Sequence, residues 1–146
     1  MPQVNNIEHL REWFRACPHL NDRNRLRVDY ISEKPTEYSI FATPSTKNYR
    51  ENVLGELVLT ERQTQNYVFM SRNHYGSDTV QNIETEGWYQ DIIEWILEQN
   101  RLRNFPEINE GEVVSVTATL TVQVVEASPD NALYQIPISI TYKVYD

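Results

Sequence analysis

Three histidines, one cysteine and a scatter of serines are the side chains best suited to proton transfer, metal binding or nucleophilic attack. His9 and His19 flank the first helical pattern and His74 precedes the second, so no HxxxH or HxH pair exists to hold a metal ion. Cys17 is the sole cysteine, which excludes an intrachain disulfide and a cysteine-based zinc site within one chain. It reads as a small apolar residue near the end of the first helix. The densest group is His74-Tyr75-Gly76-Ser77-Asp78, whose imidazole, phenol and carboxylate are general acid–base groups. The same residues suit a turn and a helix cap, and that is the better reading. Ser71, Ser77 and Ser128 lack a nucleophile-elbow context, and the four glycines stand singly, so no loop cradles a phosphate. The expectation is no catalytic residue, metal ligand or cofactor, and no enzyme.

The elements around these residues are better specified than any chemistry. Ile7, Leu10, Phe14 and Cys17 recur at helical spacing, so residues 6–16 read as an amphipathic helix that Pro18 ends, with Arg11 and Arg15 on its other face. A polar loop leads to an alternating strand over 26–31, and a short strand follows over 38–42 between Pro35 and Pro44. Residues 53–59 and 67–70 are β-prone, and the polar run 60–66 between them suits either a hairpin turn or part of one long strand. Ser77 or Asp78 can cap a second helix on which Val80, Ile83, Trp88, Ile92, Trp95, Ile96 and Gln99 form a stripe. Arg101 and Arg103 stand at its C-terminal end, where the dipole favours cations, and Gly87 marks a possible kink. Trp88, Tyr89 and Trp95 read as core aromatics rather than a ligand platform.

The C-terminal third is a hairpin. Val114, Val116, Ala118, Leu120, Val122 and Val124 alternate with polar residues, and the pattern resumes after residues 128–131 with Tyr134, Ile136, Ile138, Ile140, Tyr142 and Val144. Pro137 cannot donate to a ladder, which calls for an edge strand, a bulge, or a position turned away from its neighbour. At about 3.3 Å per residue these strands reach roughly 40 Å, long enough for part of the hairpin to project towards another subunit. The fold class expected is α+β: a mainly antiparallel sheet packed against an N-terminal helix and a second helix, in one domain over residues 1–146.

Composition and charge bound the partners. With 146 residues, 40% hydrophobic and 23% charged, the chain can bury a core. It has no apolar run long enough to span a bilayer, and residues 1–6 lack the basic patch and apolar core of a secretory signal, so a soluble protein made in the cytosol is expected. The net charge of −8 argues against binding a phosphate backbone, which needs Lys and Arg contacts. Charge is also uneven: residues 1–50 carry eight basic and six acidic side chains, whereas 51–146 carry five and fifteen. Arg11, Arg15, Arg23, Arg25 and Arg27 cluster near the first helix, while Glu84, Glu86, Asp91, Glu94 and Glu98 follow one another on the second with no intervening base. Head-to-tail association needs two different complementary patches on one subunit, and these two regions are the candidates, acting by steering and register.

The residues from His74 to Gly111, with Tyr75-Gly76-Ser77-Asp78, Val80-Gln81-Asn82-Ile83-Glu84, Gly87-Trp88-Tyr89, Glu94 to Asn100 and the exit Phe105-Pro106-Glu107-Ile108, resemble a known family. It is that of the small tail terminator proteins of long-tailed phages and prophages of Gram-positive bacteria, also called minor capsid or tail completion proteins. Val28-Asp29-Tyr30, Lys34-Pro35, Glu37-Tyr38-Ser39 and the residues from Ala132 to Tyr142 resemble its early and last strands, while 48–66 is longer than the family pattern. The resemblance implies an α+β protein that forms a ring, commonly of six subunits. Such a ring caps the tail tube, ends tail polymerisation and presents a surface to the head connector. The partners implied are further copies of the chain, the tail-tube protein and the head connector protein, without membrane or specific nucleic-acid binding. The implied location is the head–tail junction of the virion, after assembly in the host cytoplasm. The competing readings are another head–tail connector or tail-tube component, or a small-ligand-binding α+β domain with a deep polar pocket.

Overall fold

The computed structural model of the protein describes residues 5–20, 26–28, 38–74, 79–127 and 131–144. Its elements run α1 (Asn6–Phe14), β1 (Leu26–Val28), β2 (Tyr38–Ala42), β3 (Tyr49–Glu51), β4 (Leu57–Leu59), β5 (Arg62–His74), α2 (Thr79–Leu102), β6 (Gly111–Ala118), β7 (Gln123–Ala127) and β8 (Asn131–Val144). The main sheet has the order β1-β2-β5-β8-β6, with β7 also on β8, and β3 and β4 form a separate pair. Only the β1–β2 pairing is parallel among the described strands. The fold is α+β.

Side-chain period explains the layers. Tyr134, Ile136, Ile138, Ile140 and Tyr142 are all buried, as the alternation of β8 requires. Ile136 lies opposite Phe69 on β5, and Phe69 stacks on Phe14 of α1 with centroids 4.9 Å apart. Tyr134 stacks on Tyr89 of α2 at 4.7 Å. Both helices therefore cover the same face of the sheet. The opposite face is stitched by polar pairs: Thr64 with Thr141 at 3.2 Å, and the Ser139 hydroxyl donating to Asn66 Oδ1 at 2.9 Å.

Caps and turns set the ends. Asn5 accepts the Glu8 N–H at 3.0 Å and starts α1, which ends two residues before the predicted 16. The α2 helix is continuous through Gly87. At its end Arg103 takes φ 58, and the Asn104 N–H returns to the Gln99 carbonyl at 3.0 Å, so a left-handed residue closes the helix. The proposed caps Ser77 and Asp78, the rest of the 26–31 strand, Pro35 and Ser128 lie outside the described residues.

One open alternative is decided and two expectations change. Residues 62–66 belong to the long strand β5, and the hairpin lies before them, as β3–β4. The predicted strand over 114–124 is broken into β6 and β7, with a bulge between Val113 and Ser115. That extra residue flips the phase, so Val113 and Val116 are buried while Val114 is only half-buried. Finally, β8 does not project: it pairs with β5 from Asn131 to Lys143, and β6 and β7 share its other edge.

Candidate functional site

The outer face of α2 is the surface on which the sequence placed the acidic contact. At 100° per residue, Thr85, Tyr89, Ile92, Ile93 and Ile96 form the buried stripe. Val80 and Ile83 do not join it. Each is 65% exposed and lies on the opposite face, on the same side of the helix as Glu84, Asp91 and Glu94. The cause is helical phase: at 100° per residue both point away from the side that Tyr89 and the isoleucines turn to the sheet. Trp88 and Trp95 flank the stripe and pack on the core. The Trp88 indole N–H donates to the His19 carbonyl at 2.9 Å and that of Trp13 to the Asn104 carbonyl at 2.8 Å, so these rings tie loops to helices.

The acidic residues differ in their pairing. Glu98 accepts from Arg101 one turn on, and that hydrogen bond holds its carboxyl below the usual carboxylate range. Glu84, Glu86, Asp91 and Glu94 are exposed and have no ion-pair partner among the described residues. Gly87 sits among them, and a Cβ there would meet nothing within 4 Å.

Of the basic group, only Arg11 and Arg15 have described side chains. Arg15 Nη1 lies 2.9 Å from Glu12 Oε1, and Arg11 Nη1 lies 3.5 Å from both Glu8 and Glu12. These guanidiniums serve carboxylates of their own helix. Arg27 is on β1, opposite Ser39, and Arg23 and Arg25 lie outside the described residues.

Among the described residues, groups with chemical potential do not converge; the side chains of His74 to Asp78 lie outside them. His9 is the best placed, with Nε2 3.1 Å from Asn109 Oδ1 and Nδ1 3.7 Å from Glu107 Oε2. Beside it, Asn6 accepts the Asn109 N–H at 2.9 Å and donates to Glu110 at 2.7 Å. This cluster fastens α1 to the turn before β6. A groove of about 450 Å³ runs past Arg103, Phe105, Glu107 and Glu112, but it is wide open and brings no nucleophile against a base. Among the described residues no three His, Cys, Asp or Glu side chains are grouped to hold a metal ion, and Cys17 is buried. No helix among them is long and apolar enough to cross a membrane.

No protein-family model matches the chain, and no curated protein matches it. Alongside the α2 face, the structure exposes an apolar group that sequence reading left undecided: Tyr49, Val53, Leu54 and Leu57 on the β3–β4 hairpin. The signal was present in Asn52 and Gly55, turn residues between two short β-prone runs.

Proposed function

We propose that this chain is a phage assembly protein of the tail-terminator kind. It acts as a ring that caps the tail tube, ends tail polymerisation and contributes to head–tail joining. It works through surfaces and carries out no catalysis. The observation that carries this reading is the outer face of α2. There the residues that resemble the family also display Glu84, Glu86, Asp91 and Glu94 without ion pairs among the described residues, beside exposed Val80 and Ile83. Unpaired carboxylates around apolar side chains suit an interface whose charges set register while its apolar residues supply affinity.

The head connector and the tail-tube protein are the partners proposed for that face. The pairing of Arg11 and Arg15 within α1 shifts the test from the arginines to the carboxylates. Electron microscopy of particles made without this protein tests the function: overlong tails are expected. Normal-length, unattached tails would instead assign the chain to a connector. Glu84→Lys/Asp91→Lys/Glu94→Lys should reproduce the defect while leaving the fold intact, because all three side chains are exposed and none is ion-paired among the described residues. Wild-type tail length in that triple variant would remove α2 from the contact.

A further inference from the structure

The β3–β4 hairpin is a built element without a core of its own. Its turn is wired by Asn52, whose Oδ1 accepts the Leu54 and Glu56 N–H groups at 3.0 and 2.9 Å, and whose N–H donates to the Glu56 carbonyl at 3.0 Å. Its base is clamped by buried Gln63, which accepts the Asn48 N–H at 2.7 Å and donates to the Asn48 carbonyl at 2.9 Å. Yet Tyr49, Leu57 and Leu59 share one exposed face, and Val53 and Leu54 at the tip are 102% and 79% exposed. None of these side chains packs against the hydrophobic core. A two-stranded hairpin is marginal in water unless something covers its apolar face. The uncovered apolar area is on the order of 500 Å², a large part of the ~800 Å² per partner that a specific interface buries.

A matching surface lies diagonally across the sheet. β7 and β6 take the edge of β8 away from β5, and no described strand covers their outer side. Every residue of β7 is exposed, and Leu120, Val124 and Val125 present apolar side chains there. From Thr117 to Val125 the sequence has no charged residue. Charge decides between this edge and the outer face of α2. The hairpin carries Glu51 and Glu56 near its tip and Arg50 on its other face; on α2 its glutamates would meet Glu84, Asp91 and Glu94 with like charge, whereas β7 offers a single carboxylate, Glu126, beyond the uncharged run 117–125, which Arg50 can oppose. The hairpin leaves the sheet beside the Arg62 end of β5, on the β2 side. β7 sits at the other end, paired with Ala132–Gln135, which lie opposite Met70–Asn73. Two different patches at opposite corners give a head-to-tail contact that repeats from copy to copy.

We infer that the β3–β4 hairpin of one copy docks on the exposed β6–β7 edge of a second copy of this chain. This names the contact within the ring proposed above and rests on that reading for ring closure alone. Self-association is measured on the purified chain, without any phage component, so its failure leaves the tail-length test untouched. In a Cys17→Ala background, chains carrying Leu54→Cys are mixed with chains carrying Val124→Cys and treated with a short bismaleimide. Crosslinked dimers should form in the mixture, and far fewer in Leu54→Cys alone or in a mixture with Ile83→Cys. In sedimentation velocity, Leu54→Asp should weaken association by about tenfold to a hundredfold. Its far-UV spectrum and thermal midpoint should match wild type, because the Leu54 side chain is exposed and outside the hydrophobic core. A wild-type chain that stays monomeric at about 100 μM, or crosslinking that favours Ile83→Cys or Leu54→Cys with itself, would overturn the inference.

Discussion

The backbone N–H of Thr119 donates to the carbonyl oxygen of Pro137 at 3.2 Å, just where β6 ends and the chain leaves the ladder before β7. In an antiparallel strand the N–H and C=O of one residue point the same way. The missing donor of Pro137 therefore faces the break over residues 119–122 rather than β5. A proline sits in a central strand because its neighbour is interrupted opposite it.

Pro137→Val should consequently change stability by less than about 1 kcal/mol, since the restored N–H faces Thr119 at the frayed end of β6 and leaves the ladder to β5 untouched. Ile138→Pro is the contrast. That N–H points to β5, and its loss should cost about 3 kcal/mol or more. Urea unfolding of the two variants checks the pair, and a large loss in Pro137→Val would contradict the assigned direction.

Gly87 and Gly111 should respond to alanine with opposite signs. A Cβ at Gly87 meets nothing within 4 Å, so Gly87→Ala should stabilise α2 by about 0.5–1 kcal/mol through helix propensity. A Cβ at Gly111 would lie 1.9 Å from the Lys143 carbonyl oxygen, which belongs to the paired backbone of β8. Gly111→Ala should destabilise by about 2 kcal/mol or more. Thermal unfolding distinguishes the two signs directly.

Alkaline pH should weaken the fold through its buried phenols. Burial, assisted by Glu110 and Tyr142, pushes Tyr67 from 10.0 up to about 12, and burial raises Tyr89 and Tyr142 as well. Below pH 10 both folded and unfolded states keep these protons and stability is unaffected. Between about 10 and 12 the unfolded chain releases them first, so stability falls as pH rises. Tyr67→Phe should make that fall shallower in denaturant midpoints taken from pH 9 to 12. An unchanged slope would mean that Tyr67 is not held neutral.

Asn6 joins parts of the chain a hundred residues apart. Its Oδ1 accepts the Asn109 N–H, and its Nδ2 donates to Glu110 and, at 3.3 Å, to Gln65. Asn6→Ala leaves the part-buried Asn109 N–H without that acceptor and should cost about 1–3 kcal/mol. Hydrogen exchange should show faster opening at the start of α1 and at residues 107–110, with β8 unaffected.

The sequence by itself determined α1, β2, the inward row of β8 and the span of α2, because those depend on local periodicity and on stops such as Pro18. It also located the acidic row, since consecutive carboxylates without a base are a property of order alone. Tertiary structure decided which neighbours those elements met. The Val114 bulge changed the phase of a strand whose alternation ran unbroken in the sequence, and only the pairing with β8 reveals it. Val80 and Ile83 read as part of the core stripe, but 100° per residue already sets them opposite Ile92 and Ile96, and both are exposed. Arg11 and Arg15 looked available until Glu8 and Glu12 took them. In the hairpin, Leu57 and Leu59 read as ordinary strand residues. Their exposure follows from the two strands pairing with each other instead of joining the main sheet. Periodicity fixes which side chains share a face, whereas burial depends on what the rest of the chain brings against that face.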